Sequence, residues 1–135
     1  MIFSHISYKN LNSRQKENYN FHKVSAVLAN YGFTSIRLTD DWQGADFIAS
    51  HIDGETFIKV QLKGRLTFDK KYLNKEIWVA FPYKEDWYLY PHDDLTNELK
   101  ESLNFKNTTS WQDKGAYSYN SISKPTLKLL SKYKL

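Results

Sequence analysis

Gly44 to Lys63 reads GADFIASHIDGETFIKVQLK, and this stretch decides the fold. Two alternating runs, Asp46 to Ile52 and Glu55 to Lys63, flank Asp53-Gly54, a strong signal for an antiparallel hairpin. In the second run Phe57, Lys59, Gln61 and Lys63 share one face, while Ile58, Val60 and Leu62 share the other. With Asp53 and Gly54 at the centre of the turn, Ile52 faces Glu55 and Asp46 faces Gln61. Opposed side chains have Cβ atoms about 4.5 to 5.5 Å apart, and the diagonal neighbour Lys63 lies about 7 to 8 Å away. A four-residue loop keeps this register; a three-residue loop shifts it by one.

Upstream, Phe21, Val24, Val27, Leu28 and Tyr31 recur at helical spacing from about Asn12, with Gly32 as the stop. Phe33 to Leu38 reads as a strand and Thr39 to Gln43 as a loop. Downstream, a basic connection from Arg65 to Lys75 leads to two aromatic-rich strands, Ile77 to Phe81 and Trp87 to Tyr90, with Pro82 and Glu85-Asp86 marking their turn. Asp93 or Asp94 is placed to cap a helix running to about Leu103. Residues 104–121 show no clear periodicity, and Ser123-Lys124-Pro125 opens a short terminal helix. The reading is a single α/β domain over 1–135, with helices flanking a central sheet.

The 135 residues carry a net charge of +4, unevenly spread. Lys59, Lys63, Arg65, Lys70, Lys71 and Lys75 form one basic segment and Lys114, Lys124, Lys128, Lys132 and Lys134 another, with an acidic stretch from Glu76 to Glu101 between them. Such sidedness suits a phosphate backbone, and equally a solvated lysine-rich surface. There is no cysteine, which excludes disulfides and thiolate metal sites and suits a cytoplasmic protein. The N-terminus lacks the apolar run of a signal peptide, and nothing is long enough to span a bilayer. The four histidines lack paired metal-ligand spacing, and neither a nucleophile turn nor a phosphate-binding glycine loop is present.

Asp46 and Gln61 on paired strands offer oxygen donors to a hard cation such as Mg²⁺, beside a lysine able to stabilise negative charge. These residues resemble the PD-(D/E)XK nuclease superfamily, which includes restriction endonucleases and Holliday-junction resolvases. The resemblance runs from about Asn12 to Phe81 and rests on the first helix with Tyr31-Gly32, on Gly44 to Ala49, on the hairpin and on Ile58 to Lys63. It implies a restriction endonuclease-like mixed sheet and a Mg²⁺-dependent endonuclease acting on DNA, with Mn²⁺ as substitute and a homodimer as partner state. By the same resemblance Asp46 binds the metal, Gln61 fills the second acidic position, the Leu62 carbonyl is a further ligand, Lys63 is catalytic, and Glu17 of the first helix approaches the metal.

Two departures stand out: Ala45 where the family has proline, and neutral Gln61 where it has Asp or Glu. The second leaves open a catalytically inactive module of the same fold that binds nucleic acid or protein. Asp40 and Asp41 are either helpers of the metal or ordinary loop acids. Expected nucleic-acid contacts are Trp42, Arg65, Lys70, Lys71, Lys128 and Lys132, whereas Trp78 and Trp87 read as core or strand-pairing residues.

Overall fold

The computed structural model describes residues 1–99 and 108–135. Asn12 caps the first helix, α1 (Ser13–Ala29), through a reciprocal pair of bonds with Gln15. Five strands form the main sheet: β1 (Phe33–Trp42), β2 (Ala45–His51), β3 (Phe57–Leu62), β5 (Ile77–Tyr83) and β6 (Asp86–Pro91), in the order β1-β2-β3-β5-β6. Only the β3–β5 pairing is parallel, so the sheet is mixed, as the family resemblance implied. Two short strands, β4 (Thr67–Asp69) and β7 (Ala116–Ser118), pair separately, and two further α-helices are α2 (His92–Leu99) and α3 (Lys124–Leu130).

The hairpin register is the one read from the sequence. Phe47 opposes Val60 and Ile48 opposes Lys59, while His51 N–H donates to the Thr56 carbonyl and closes a four-residue loop. Asp53 organises that loop: its carboxylate accepts the N–H groups of Glu55 and Thr56 and the Thr56 hydroxyl.

Apolar side chains cover the sheet unequally. On one face Val24 and Leu28 of α1 pack with Phe47, Ala49, Val60, Ala80, Trp87 and Leu89. On the other, Val79, Phe81, Tyr88 and Tyr90 meet Leu66, Phe68, Tyr72, Leu95, Trp111 and Leu130. Trp87 is thus a core residue, as expected.

Four local expectations are corrected. Thr39 to Trp42 continues β1 beyond a register shift after Arg37, and the turn falls at Gln43-Gly44, both with positive φ. Pro82 lies within β5 opposite Trp87, where β6 follows a tight turn at Lys84. Asp93 and Asp94 occupy the first turn of α2 instead of capping it, and Asp93 accepts the Asn74 N–H; the expected continuation to Leu103 falls outside the described residues. The basic connection is itself structured. Tyr90 Oη accepts the Thr67 N–H at 3.3 Å and donates to the Thr67 carbonyl at 2.5 Å, while buried His92 accepts the Asp69 N–H through Nε2. Within 104–121, residues 104–107 also lie outside the description; beyond them Ser110–Lys114 forms a π-helical turn before β7.

Candidate active site

The β2–β3 ladder ends at Phe47 and Val60; one residue further, the same register sets Asp46 opposite Gln61. At that point Leu62 N–H donates to Asp46 Oδ2 at 2.8 Å, so the carboxylate is held by strand backbone and not by a loop. Gln61 Nε2 donates to the Leu62 carbonyl at 3.3 Å. Lys63 follows directly, its own N–H given to the Ala80 carbonyl at 2.9 Å, which keeps it in line with the parallel β3–β5 pair.

The electrostatics of the two charged groups are linked. Burial pushes the Asp46 carboxyl above the ordinary carboxylate range; the Leu62 N–H and the Lys63 charge oppose this, and the Glu17 and Asp41 charges add to it. Lys63 is half-buried, and its ammonium is held below the usual lysine range by burial first and by Lys71 second, with Asp69 and Asp46 acting the other way. Its Nζ lies 5.5 Å from the centre of the Tyr72 ring, which Lys71 also approaches, at 5.1 Å.

Glu17 and Asp46 face the same cleft. The two line one cleft of about 520 Å³ together with Asp40, Asp41, Arg14 and Arg37, giving it four acidic and two basic side chains. Arg37 holds Glu17 in place with an N–O distance of 3.2 Å, bonds Asn18, and lies over the Phe21 ring. Asp41 Oδ1 accepts the Gly44 N–H at 2.8 Å and so builds the turn that delivers β2. Gly44 has φ +90°, and a Cβ there would sit 2.9 Å from the Tyr72 ring, so both the turn and the close approach demand glycine.

The oxygen donors suit a hard cation. Among the described residues, however, no three His, Cys, Asp or Glu side chains lie close enough to hold a metal by themselves. A Mg²⁺ ion taking one or two protein groups, with water and phosphate completing its shell, fits this donor set; an all-protein cage does not.

The outlying candidates divide. Arg65 is bonded to Asn120, Lys70 lies over the Trp111 ring, Lys71 is 3.8 Å from Asp69, and all three are exposed on the connection that leaves β3. Trp42 is 52% exposed, with the Lys59 ammonium 5.8 Å from its ring. Lys128 is exposed, but Lys132 is occupied by both carboxylate oxygens of Glu98 at 2.9 Å. Arg14, Arg37 and Tyr72 escaped the sequence reading. Arg37 had a signal in hindsight, an isolated cation within the otherwise uncharged run Phe33 to Leu38.

No family model matches the sequence, and no curated protein matches it. Among solved structures the chain is similar to Hjc, a Holliday junction resolvase from Archaeoglobus fulgidus, with a TM-score of 0.46 and 17% identity over 58% of this chain and 74% of that one. Among the described residues no helix is long and apolar enough to cross a membrane.

Proposed function

We propose that the chain is a metal-dependent endonuclease that hydrolyses DNA phosphodiester bonds. The supporting observation is the hairpin register, which sets Asp46 opposite Gln61 with Lys63 two residues further along the same strand run. Asp46 and the Gln61 amide oxygen would hold Mg²⁺, or Mn²⁺ in its place. Turning the Gln61 amide would direct its oxygen toward the site and release the Leu62 carbonyl as a further donor.

When bound, such an ion supplies positive charge that polarises the phosphate and eases ionisation of water. The chain's own groups orient and neutralise. Asp46, fixed by the Leu62 N–H, would offer its carboxylate to the ion from a set position. Lys63 presents its ammonium to the negative charge that grows on the phosphate oxygens, and its lowered pKa eases proton exchange with an attacking water. Water attacks phosphorus in line as it gives up a proton to solvent, the opposite P–O bond breaks, and the departing sugar oxygen takes up a proton from water, leaving a hydroxyl on one fragment and a phosphate on the other. A chain with one such site cuts one strand at a time, so double-strand cleavage calls for a second copy.

The second reading, a catalytically silent module that binds nucleic acid, draws on the neutral Gln61 and on the missing three-residue ligand cluster among the described residues. Incubating the protein with linear, supercoiled and branched DNA in Mg²⁺ or Mn²⁺ separates the two. Cleavage abolished by EDTA and by Lys63→Ala is the expected result; complete absence of Lys63-dependent cleavage supports the silent module.

A further inference from the structure

The acidic cleft at Asp46 shares a wall residue, Glu17, with a second cleft, and that cleft shares two with a third. Glu17 also borders a cleft of about 400 Å³ lined by Lys63, Gly64, Ser13 and Lys16. Tyr8 and Asn20 in turn border both that cleft and a third, of about 530 Å³, which holds Tyr19, Lys23, Lys84 and Trp87. Charge changes sign along the way. Acids dominate at Asp46, whereas the third cleft has two lysines against the single acid Glu85.

Two tyrosine rings, each with a lysine over its face, form part of that last cleft. The Tyr8 and Tyr19 rings stand 5.3 Å apart at 57°, with Lys16 Nζ 5.5 Å from the centre of the Tyr8 ring and Lys23 Nζ 5.2 Å from that of Tyr19. Tyr8 precedes α1, yet its position is fixed: buried Asn20 donates through Nδ2 to the Tyr8 hydroxyl at 2.9 Å. Tyr8 remains 40% exposed, so an incoming aromatic group can reach it. Such rings can take a stacked base when the long lysine side chains swing from the ring faces onto its flanking phosphates.

We infer that the Tyr8–Tyr19 cleft binds an unpaired base of a single-stranded nucleic-acid segment whose neighbouring phosphodiester lies at Lys63 and Asp46. This rests on the nuclease reading of that site and adds a substrate class to it. Continuity with the Lys63 cleft favours a strand over a free nucleotide, although both present a base and a phosphate. A fully paired duplex keeps its bases stacked on each other and cannot place one against Tyr8 without opening. The strand-binding residues are therefore Tyr8, Tyr19, Lys16, Lys23 and Lys84, all outside the metal-binding set.

The test is fluorescence anisotropy in EDTA, which prevents cleavage, with blunt duplex DNA and the same duplex carrying a single-stranded extension. The extension should tighten binding about tenfold, the scale of one base stacked on an aromatic side chain. Tyr8→Ala and the double variant Lys23→Ala/Lys84→Ala should each remove that preference while blunt-duplex affinity holds, and Tyr8→Phe should keep it. Thermal melts confirm that each variant is folded. Equal affinity for both DNAs, or a preference that survives Tyr8→Ala and the lysine variant, overturns this inference alone. Displacement of the extended duplex by a mononucleotide at comparable concentration also overturns it, in favour of a free-nucleotide pocket. If neither DNA binds in EDTA, nor with Ca²⁺ supplied in place of Mg²⁺, the nuclease reading falls with it.

Discussion

Replacing Gln61 with glutamate tests the shared site without knowledge of the DNA substrate. The register brings the new carboxylate to within about 5 Å of the position opposite, at Asp46. Two unit charges at that separation repel by about 3 kcal/mol at an effective dielectric of about 20, and solvent around half-exposed groups reduces this to about 1–2 kcal/mol. For a chain of this length each kcal/mol corresponds to roughly 3–4 °C in Tm, so in EDTA Gln61→Glu should melt about 4–7 °C below the wild type. Mg²⁺ should reverse the deficit, because the ion is then held by two negative ligands instead of one. Asp46→Asn should behave oppositely. Burial disfavours the charged carboxyl there, so replacing it with a neutral amide should raise Tm in EDTA while weakening the Mg²⁺ response; the amide oxygen introduced can still accept the Leu62 N–H. The assay is thermal melting with and without Mg²⁺, beside calorimetric titration of the ion. A Gln61→Glu protein with wild-type Tm and wild-type Mg²⁺ affinity, together with an Asp46→Asn protein that still binds the ion normally, would refute the shared site.

Because Mg²⁺ binding needs Asp46 ionised and burial raises its pKa, affinity should begin to fall at a higher pH than for a free carboxylate as the solution is acidified; titrations across a pH series read the midpoint. Gly44→Ala must accept a positive φ and a 2.9 Å contact with Tyr72, and should destabilise the protein by about 2–4 kcal/mol in denaturant unfolding. DNA binding should weaken steeply with salt, with a log–log slope of about 0.9 per phosphate contacted; making Arg65, Lys70 and Lys71 all alanine should reduce both affinity and slope.

The hairpin and its register were legible because period-two alternation and a turn signal act locally. Helix α1 was legible through its spacing and its Asn12 start. What escaped depended on contacts distant in sequence. Nothing in Arg65 to Lys75 announces that Tyr90 and His92 will clamp Thr67 and Asp69, which turns a basic loop into a strand. Pro82 reads as a turn residue, yet it can join β5 where its missing N–H is not needed for pairing. Asp46, Gln61 and Lys63 could be grouped from register alone. Glu17 was placed beside them only by resemblance, because its position depends on how α1 packs and on Arg37, a residue without a motif. Lys132 illustrates the reverse: a cation near the chain end reads as free until Glu98, distant in sequence, occupies it.

The four-residue loop at Ile52 to Glu55 lies at the far end of the strands from Asp46, with Asp53 seven residues or roughly 24 Å of extended chain away. It nevertheless works as the gauge against which both halves of the site are measured. Losing or gaining one residue there would leave each strand intact and much of the core fillable, yet would slide β3 by one step and turn Gln61 to the opposite face from Asp46. Within this hairpin, length is therefore under a stricter constraint than composition: its exposed tip can change residue type freely wherever Asp53 and Gly54 retain their turn, but it cannot change size.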